Sequence, residues 1–227
     1  MDITKKIYWL LQSGITCFCG EKPTIIKPAN PQSKADQPAS VQAQTYAIQA
    51  TTLAQLNTEK ENFSAATLKK TAAHTLCGFG SMKPKLMCVF DMPDNDSDRS
   101  GIPLSGPSGE TFKKMMQAIH LDLETQVYVT YFSPWRTPGN RPLTTAEQAQ
   151  FAPFLKREIE FVKPEKILFF GFSMAKPLLG CDSLAKARGV WHDLDGIPTR
   201  VTLALSAVNN STTNRQHTWA DLQAVVK

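Results

Sequence analysis

No stretch of this 227-residue chain is apolar over the ~20 residues needed to span a bilayer; the longest apolar run, residues 167–172, has the length of a strand. Nor is there an even set of cysteines. The five, at positions 17, 19, 77, 88 and 181, are scattered and read as reduced thiols, not as a disulfide framework. A secretory leader is not expected either, because the apolar stretch from Ile7 to Leu11 runs into Gln12-Ser13-Gly14 and carries no small-residue cleavage pattern. These absences predict a cytoplasmic monomer without membrane contact. Excess charge of one sign is also scarce. The net charge of +5 divides as +3 over residues 1–81 and +2 over residues 82–227, so any nucleic-acid surface has to be a local patch. The length permits one domain, or one domain with an appendage. A hydrophobic content of 42% with 20% charged residues excludes collagen-like, coiled-coil and wholly disordered classes.

What is present becomes regular only in the second part of the chain. Ile3, Ile7, Leu10 and Leu11 predict a short amphipathic helix within an N-terminal element of residues 1–19. Residues 20–62 turn to Pro, Ala, Gln, Ser and Lys with few large apolar side chains, which predicts a low-complexity linker or weak helix. From 63 to 227 a single domain is expected. Apolar runs at 86–91, 126–131, 166–171 and 199–205 alternate with helices expected at about 108–120, 145–162 and 216–226 and a short one ending near Gly180. Strands apolar on both faces and separated by helices imply a three-layer α/β/α sandwich with a central four-stranded parallel sheet. Ligands of such sheets bind beyond the carboxyl ends of the strands, which directs attention to residues 91–109, 131–141 and 204–214.

The first of these loops contains Ser105-Gly106-Pro107-Ser108-Gly109 running directly into a helix, where backbone N–H groups can hold a phosphate. It also contains Asp91, Asp94, Asp96 and Asp98. Their spacing is superficially that of a calcium loop, but the glycine and closing glutamate are out of position, so no metal site is expected. The second loop reads Pro134-Trp135-Arg136, then Pro138-Gly139-Asn140-Arg141. With Asp98-Arg99-Ser100-Gly101-Ile102-Pro103, Tyr128-Val129-Thr130, Arg188-Gly189-Val190-Trp191 and Trp219-Ala220-Asp221-Leu222 in the same order, the chain from about 63 to 227 resembles the family 4 branch of the uracil-DNA glycosylase superfamily.

The resemblance implies a base pocket formed by Asp91, Met92, Pro93, Leu104, Tyr131 and Ala204. It implies DNA contacts at Ser105, Gly106, Ser108, Gly109, Arg136, Gly139, Asn140 and Arg141. It also exposes departures. Asp91 stands where the family carries a water-positioning glutamate, and is the candidate water activator. Leu104 replaces a stacking phenylalanine, and Tyr131 an asparagine that reads the uracil edge. Ala204-Leu205 replaces the histidine–proline pair whose histidine donates to the uracil oxygen. None of the four histidines, at 74, 120, 192 and 217, falls in the loop after the fourth strand. The family's four-cysteine iron–sulfur cluster is expected to be absent, because the three positions that align with its ligands are Ala66, Trp135 and Phe151.

Three readings follow. The first is a superfamily protein with a degenerate active site, impaired in uracil excision and retaining weak, salt-dependent DNA binding. The second is an active base-excision enzyme of altered specificity that uses Asp91. The third is a protein-interaction scaffold whose N-terminal segment holds a partner.

Overall fold

The computed structural model describes residues 38–208 and 210–226, so the short helix expected within residues 1–19 lies outside the described residues. Four strands form the centre: β2 (Leu86–Phe90), β3 (Val127–Tyr131), β4 (Lys166–Phe170) and β6 (Ile197–Thr202). They run parallel in the spatial order β3-β2-β4-β6. Two short antiparallel strands extend this sheet to six, β1 (Phe79–Gly80) beside β3 and β5 (Trp191–Leu194) beside β6. The four-stranded sheet read from the sequence is therefore the parallel centre of a larger mixed one. The β5–β6 hairpin turns through Asp195 (φ 53°) and Gly196 (φ 88°), the two successive positive φ values of a type I′ turn, for which Asp-Gly is a favoured pair.

Alternation along the strands divides the apolar residues between two layers. Met87, Val89, Tyr128, Ile167, Phe169 and Val201 join one core, shared with α1 (Ala39–Gln49), α2 (Leu53–Asn62) and α5 (Thr145–Val162). Leu86, Cys88, Phe90, Val129, Tyr131, Leu168 and Phe170 join the other, shared with α4 (Gly106–Ala118) and α9 (Thr212–Val226). Helix α5 starts where expected. Thr144 accepts from the Glu147 N–H while the Glu147 carboxylate accepts from the Thr144 N–H, a reciprocal capping box. Four short helices complete the fold: α3 (Asn95–Ser100), α6 (Ala175–Leu179), α7 (Leu184–Ala187) and α8 (Leu205–Val208).

The segment expected as linker or weak helix holds two helices from residue 39 onward. Ala43, Ala47, Ala50 and Leu56 are all at most 3% exposed and belong to the first core. Small side chains suffice because α1 lies directly along α5, and the Arg157 guanidinium donates to the Ala50 carbonyl at 2.8 Å. Helix α2 is tied in by a buried ion pair, Lys60 Nζ to Glu158 Oε2 at 2.5 Å. Tyr128 donates its hydroxyl hydrogen to the other oxygen of Glu158 at 2.8 Å. No helix among the described residues is long and apolar enough to cross a membrane.

Candidate functional site

The register aligns the carboxyl ends of the parallel strands: Phe90 lies between Tyr131 and Phe170, and Phe170 pairs with Thr202. The loops that follow enclose a cavity of about 530 Å³. Asp91, Met92, Pro93, Leu104, Tyr131 and Ala204 all line it, so the structure gathers all six residues of the expected base pocket in one place. Stacked Phe90 and Phe170 rings, with centroids 4.8 Å apart, form an apolar wall, while Ser108, Asn140, Gln148, Ser173 and Ser206 add polar groups. A groove of similar volume, between Lys156, Lys163 and Asp195, sits at the amino ends of β4 and β6, away from these loops.

Asp91 is fixed from the neighbouring strand. The Ser173 N–H donates to its Oδ1 at 3.0 Å, and burial pushes the carboxyl up from 3.8 to about 6 despite that bond. Gly171 permits the approach. Its φ is +119°, and a Cβ there would run into the Asp91 carboxylate. Neither Gly171 nor Ser173 belongs to the site read from the sequence, because both follow β4, the one parallel strand whose loop that reading passed over. A glycine directly after an apolar strand run was the available signal.

Tyr131 ties a loop to the end of its strand. Its hydroxyl oxygen accepts from the Leu104 N–H at 3.0 Å, and Leu104 holds φ 53°, a left-handed conformation that costs a non-glycine residue about 1–2 kcal/mol. The phenol thus latches the loop over the pocket, and burial pushes its ionisation above the ordinary tyrosine range. Ala204 lines the cavity with a methyl group, which supplies no hydrogen bond.

The expected DNA-contacting residues separate into free and engaged groups. Helix α4 begins at Gly106, and its N-cap Ser105 makes no side-chain cap to it; the Ser105 hydroxyl lies 2.9 Å from that of Ser100 instead. Gly109 packs so closely that a Cβ would collide with the Leu104 carbonyl, which makes it a spacing residue. Arg136 donates through Nε to Asn140 Oδ1 at 2.8 Å, beside Gly139 at φ 64° with open space around its Cα. Arg141 is already paired: both guanidinium arms grip Glu147, at 2.8 and 2.6 Å, and this pair holds the Glu147 carboxyl down at about 2. Two further acidic residues of the first loop are engaged within the fold. Asp94 caps α3 through the Ser97 N–H, and Asp98 accepts from the Ala73 N–H. Among the described residues no three acidic, histidine or cysteine side chains are placed to hold a metal.

The iron–sulfur cluster implied by the resemblance does not fit these residues. Ala66, Trp135 and Phe151 are each 1% exposed within the first core, the two rings lie 5.9 Å apart, and none offers a sulfur. Among the described cysteines, Cys88 points into the second core, and burial pushes the Cys77 thiol up to about 11.

Comparison with known proteins agrees with this geometry. Residues 77–223 match the Uracil DNA glycosylase superfamily. The chain is 32% identical over 104 residues to the type-4 uracil-DNA glycosylase of Archaeoglobus fulgidus, covering 46% of this chain and 52% of that protein. It is 31% identical over 123 residues to that of Sulfurisphaera tokodaii, covering 50% and 56%. A DNA polymerase of Bacillus phage SP01 is 27% identical over 130 residues, which are 57% of this chain and 14% of the polymerase. The chain thus spans about half the length of the type-4 glycosylases it matches. With the matched region running from the segment before β1 into α9, and with the pocket at the carboxyl ends of its parallel strands, the chain belongs to the uracil-DNA glycosylase superfamily.

Proposed function

We propose that this chain is a DNA-engaging member of the superfamily that keeps a base-sized pocket but excises uracil poorly. The observation that carries this reading is the pairing of Tyr131 and Ala204 in the pocket wall. One is a phenol whose oxygen is tied to the Leu104 N–H, so its position is set by the loop in place of the asparagine amide the family presents, and the other side chain is a methyl. A uracil leaving as an anion needs donors at its carbonyl oxygens, and loss of one preorganised donor costs about 10²–10³ in rate. Phosphate contact needs neither group. It falls to the start of α4 and to Arg136, with Arg141 contributing less because Glu147 already neutralises it. That a phage DNA polymerase carries a segment similar to this one supports a role in contact with DNA.

A second reading, excision of a different base, is favoured by Asp91. A carboxyl raised to about 6 and oriented by the Ser173 N–H suits a general base that takes a proton from water as it attacks the sugar carbon. A glycosylase assay on oligonucleotides containing uracil, hypoxanthine and xanthine, run beside Asp91→Ala, separates the two. The first reading expects no excision above background. Excision of hypoxanthine or xanthine that disappears in Asp91→Ala decides for the second, and efficient uracil excision overturns the first. Binding of the same oligonucleotides at low and moderate salt tests the electrostatics: affinity should fall with salt, and Arg136→Ala should weaken it more than Arg141→Ala. Binding unchanged by salt would refute the phosphate contacts.

A further inference from the structure

Outside the pocket, one nucleophile stands beside a base with its orientation set. Cys181 follows the left-handed Gly180 that ends α6, and it is half-buried, in reach of solvent. Its Sγ lies 3.9 Å from Nδ1 of His192 on β5 and 3.9 Å from the Leu179 carbonyl oxygen, both within range of a sulfur hydrogen bond, so the thiol hydrogen has two acceptors between which to turn. The far side of the imidazole decides which nitrogen carries hydrogen. His192 Nε2 is 2.7 Å from the Ala187 carbonyl oxygen, which can only accept, so the hydrogen sits on Nε2. The Nδ1 lone pair therefore faces the thiol as an acceptor. This is the nucleophile, base and orienting third group from which activated cysteines are built. The other two described cysteines lack it: Cys88 is enclosed in the sheet, and Cys77 lies beside the buried Lys60–Glu158 pair with its thiol pushed up to about 11.

We propose that Cys181 is a covalent modification site for small electrophiles and peroxides, with His192 as its proton acceptor. With hydrogen peroxide, the thiol proton passes to His192 Nδ1 and the sulfur electron pair attacks one peroxide oxygen as the O–O bond breaks. The departing hydroxide recovers a proton from the imidazolium, giving a sulfenic acid and water. With an alkyl iodide, the sulfur–carbon bond forms, iodide leaves and the proton remains on the imidazole until solvent takes it. The modified residue lies three positions before Leu184, which lines the pocket, and is not itself part of that lining.

The native full-length chain is treated with iodoacetamide, and labelling at each cysteine-containing peptide is followed in time by mass spectrometry. Cys181 should be labelled about tenfold faster than Cys77 or more, and His192→Gln, whose amide can still donate to the Ala187 carbonyl, should remove most of that advantage. Equal rates at Cys181 and Cys77, or a Cys181 rate unaffected by His192→Gln, would overturn the proposal. Should His192→Gln unfold, brief peroxide treatment of the unaltered chain followed by dimedone decides the matter. A dimedone adduct at Cys181 and not at Cys77 supports the site, and its absence at Cys181 refutes it.

Discussion

Replacing Asp91 by asparagine removes a carboxylate in the pocket wall that burial penalises, while Asn Oδ1 can still accept from the Ser173 N–H. Raising a carboxyl from 3.8 to about 6 corresponds to about 3 kcal/mol, at 1.36 kcal/mol per pK unit. The sign follows from proton counting. Between about pH 4 and pH 6 the folded chain holds a proton that the unfolded chain has released, so rising pH through this window lowers stability, and above it the full cost persists. Asp91→Asn carries no such cost. Its stability should exceed that of the parent by about 1–3 kcal/mol at pH 7.5, with the difference shrinking to near zero at about pH 4. Urea unfolding across that range measures both quantities, with the slope m checking that the transition is unchanged. A variant less stable than the parent at pH 7.5, or a difference independent of pH, would refute the assignment of Asp91 as a carboxyl that its surroundings hold above the ordinary range. A stabilised variant would instead mark Asp91 as a group kept at the expense of the fold, as residues retained for chemistry often are.

Two further perturbations test the scaffold. Gly171→Ala should destabilise by about 2 kcal/mol or more, because it combines an unfavourable φ with a collision at the Asp91 carboxylate; urea unfolding within about 0.5 kcal/mol of the parent would contradict this. Lys60→Met leaves Glu158 buried with only the Tyr128 hydroxyl as partner and should cost about 3–5 kcal/mol. Adding Glu158→Gln should recover much of it, and thermal unfolding that finds the double variant no more stable than the single one would show that the ion pair is not what the loss reflects.

The parallel centre of the sheet was legible because its strands are apolar on both faces, and α5 because Thr144 and Glu147 stand at capping-box spacing. Helices α1 and α2 were not. The buried residues of α1 are alanines, those of α2 are Leu56 and Lys60, and the lysine that anchors α2 finds its partner 98 positions away, at Glu158. Strand β5 was missed although Asp195-Gly196 announces a hairpin, since its edge position leaves Trp191 and Asp193 exposed and blurs the apolar signal. At the site, Asp91, Leu104, Tyr131 and Ala204 were found because loop position and family motif both pointed to them. What those residues bind was not visible. The bidentate grip of Arg141 on Glu147 depends on the path of the intervening loop, and the bond between Ser173 and Asp91 joins loops 82 residues apart.

The latch between Tyr131 and Leu104 has a consequence for the order in which this pocket can be altered. An asparagine at 131 is too short to reach where the phenol oxygen now meets the Leu104 N–H, so that change made alone strands a polar group and releases a loop whose left-handed residue depends on it. Leu104 and Tyr131 are therefore not independent letters of the sequence: the residue at one sets which residues the other tolerates. Any route that converts this wall into one that reads a pyrimidine edge must first give residue 104 another means of support, and a single-step exchange at 131 meets a barrier that the same exchange would not meet in a chain without the latch.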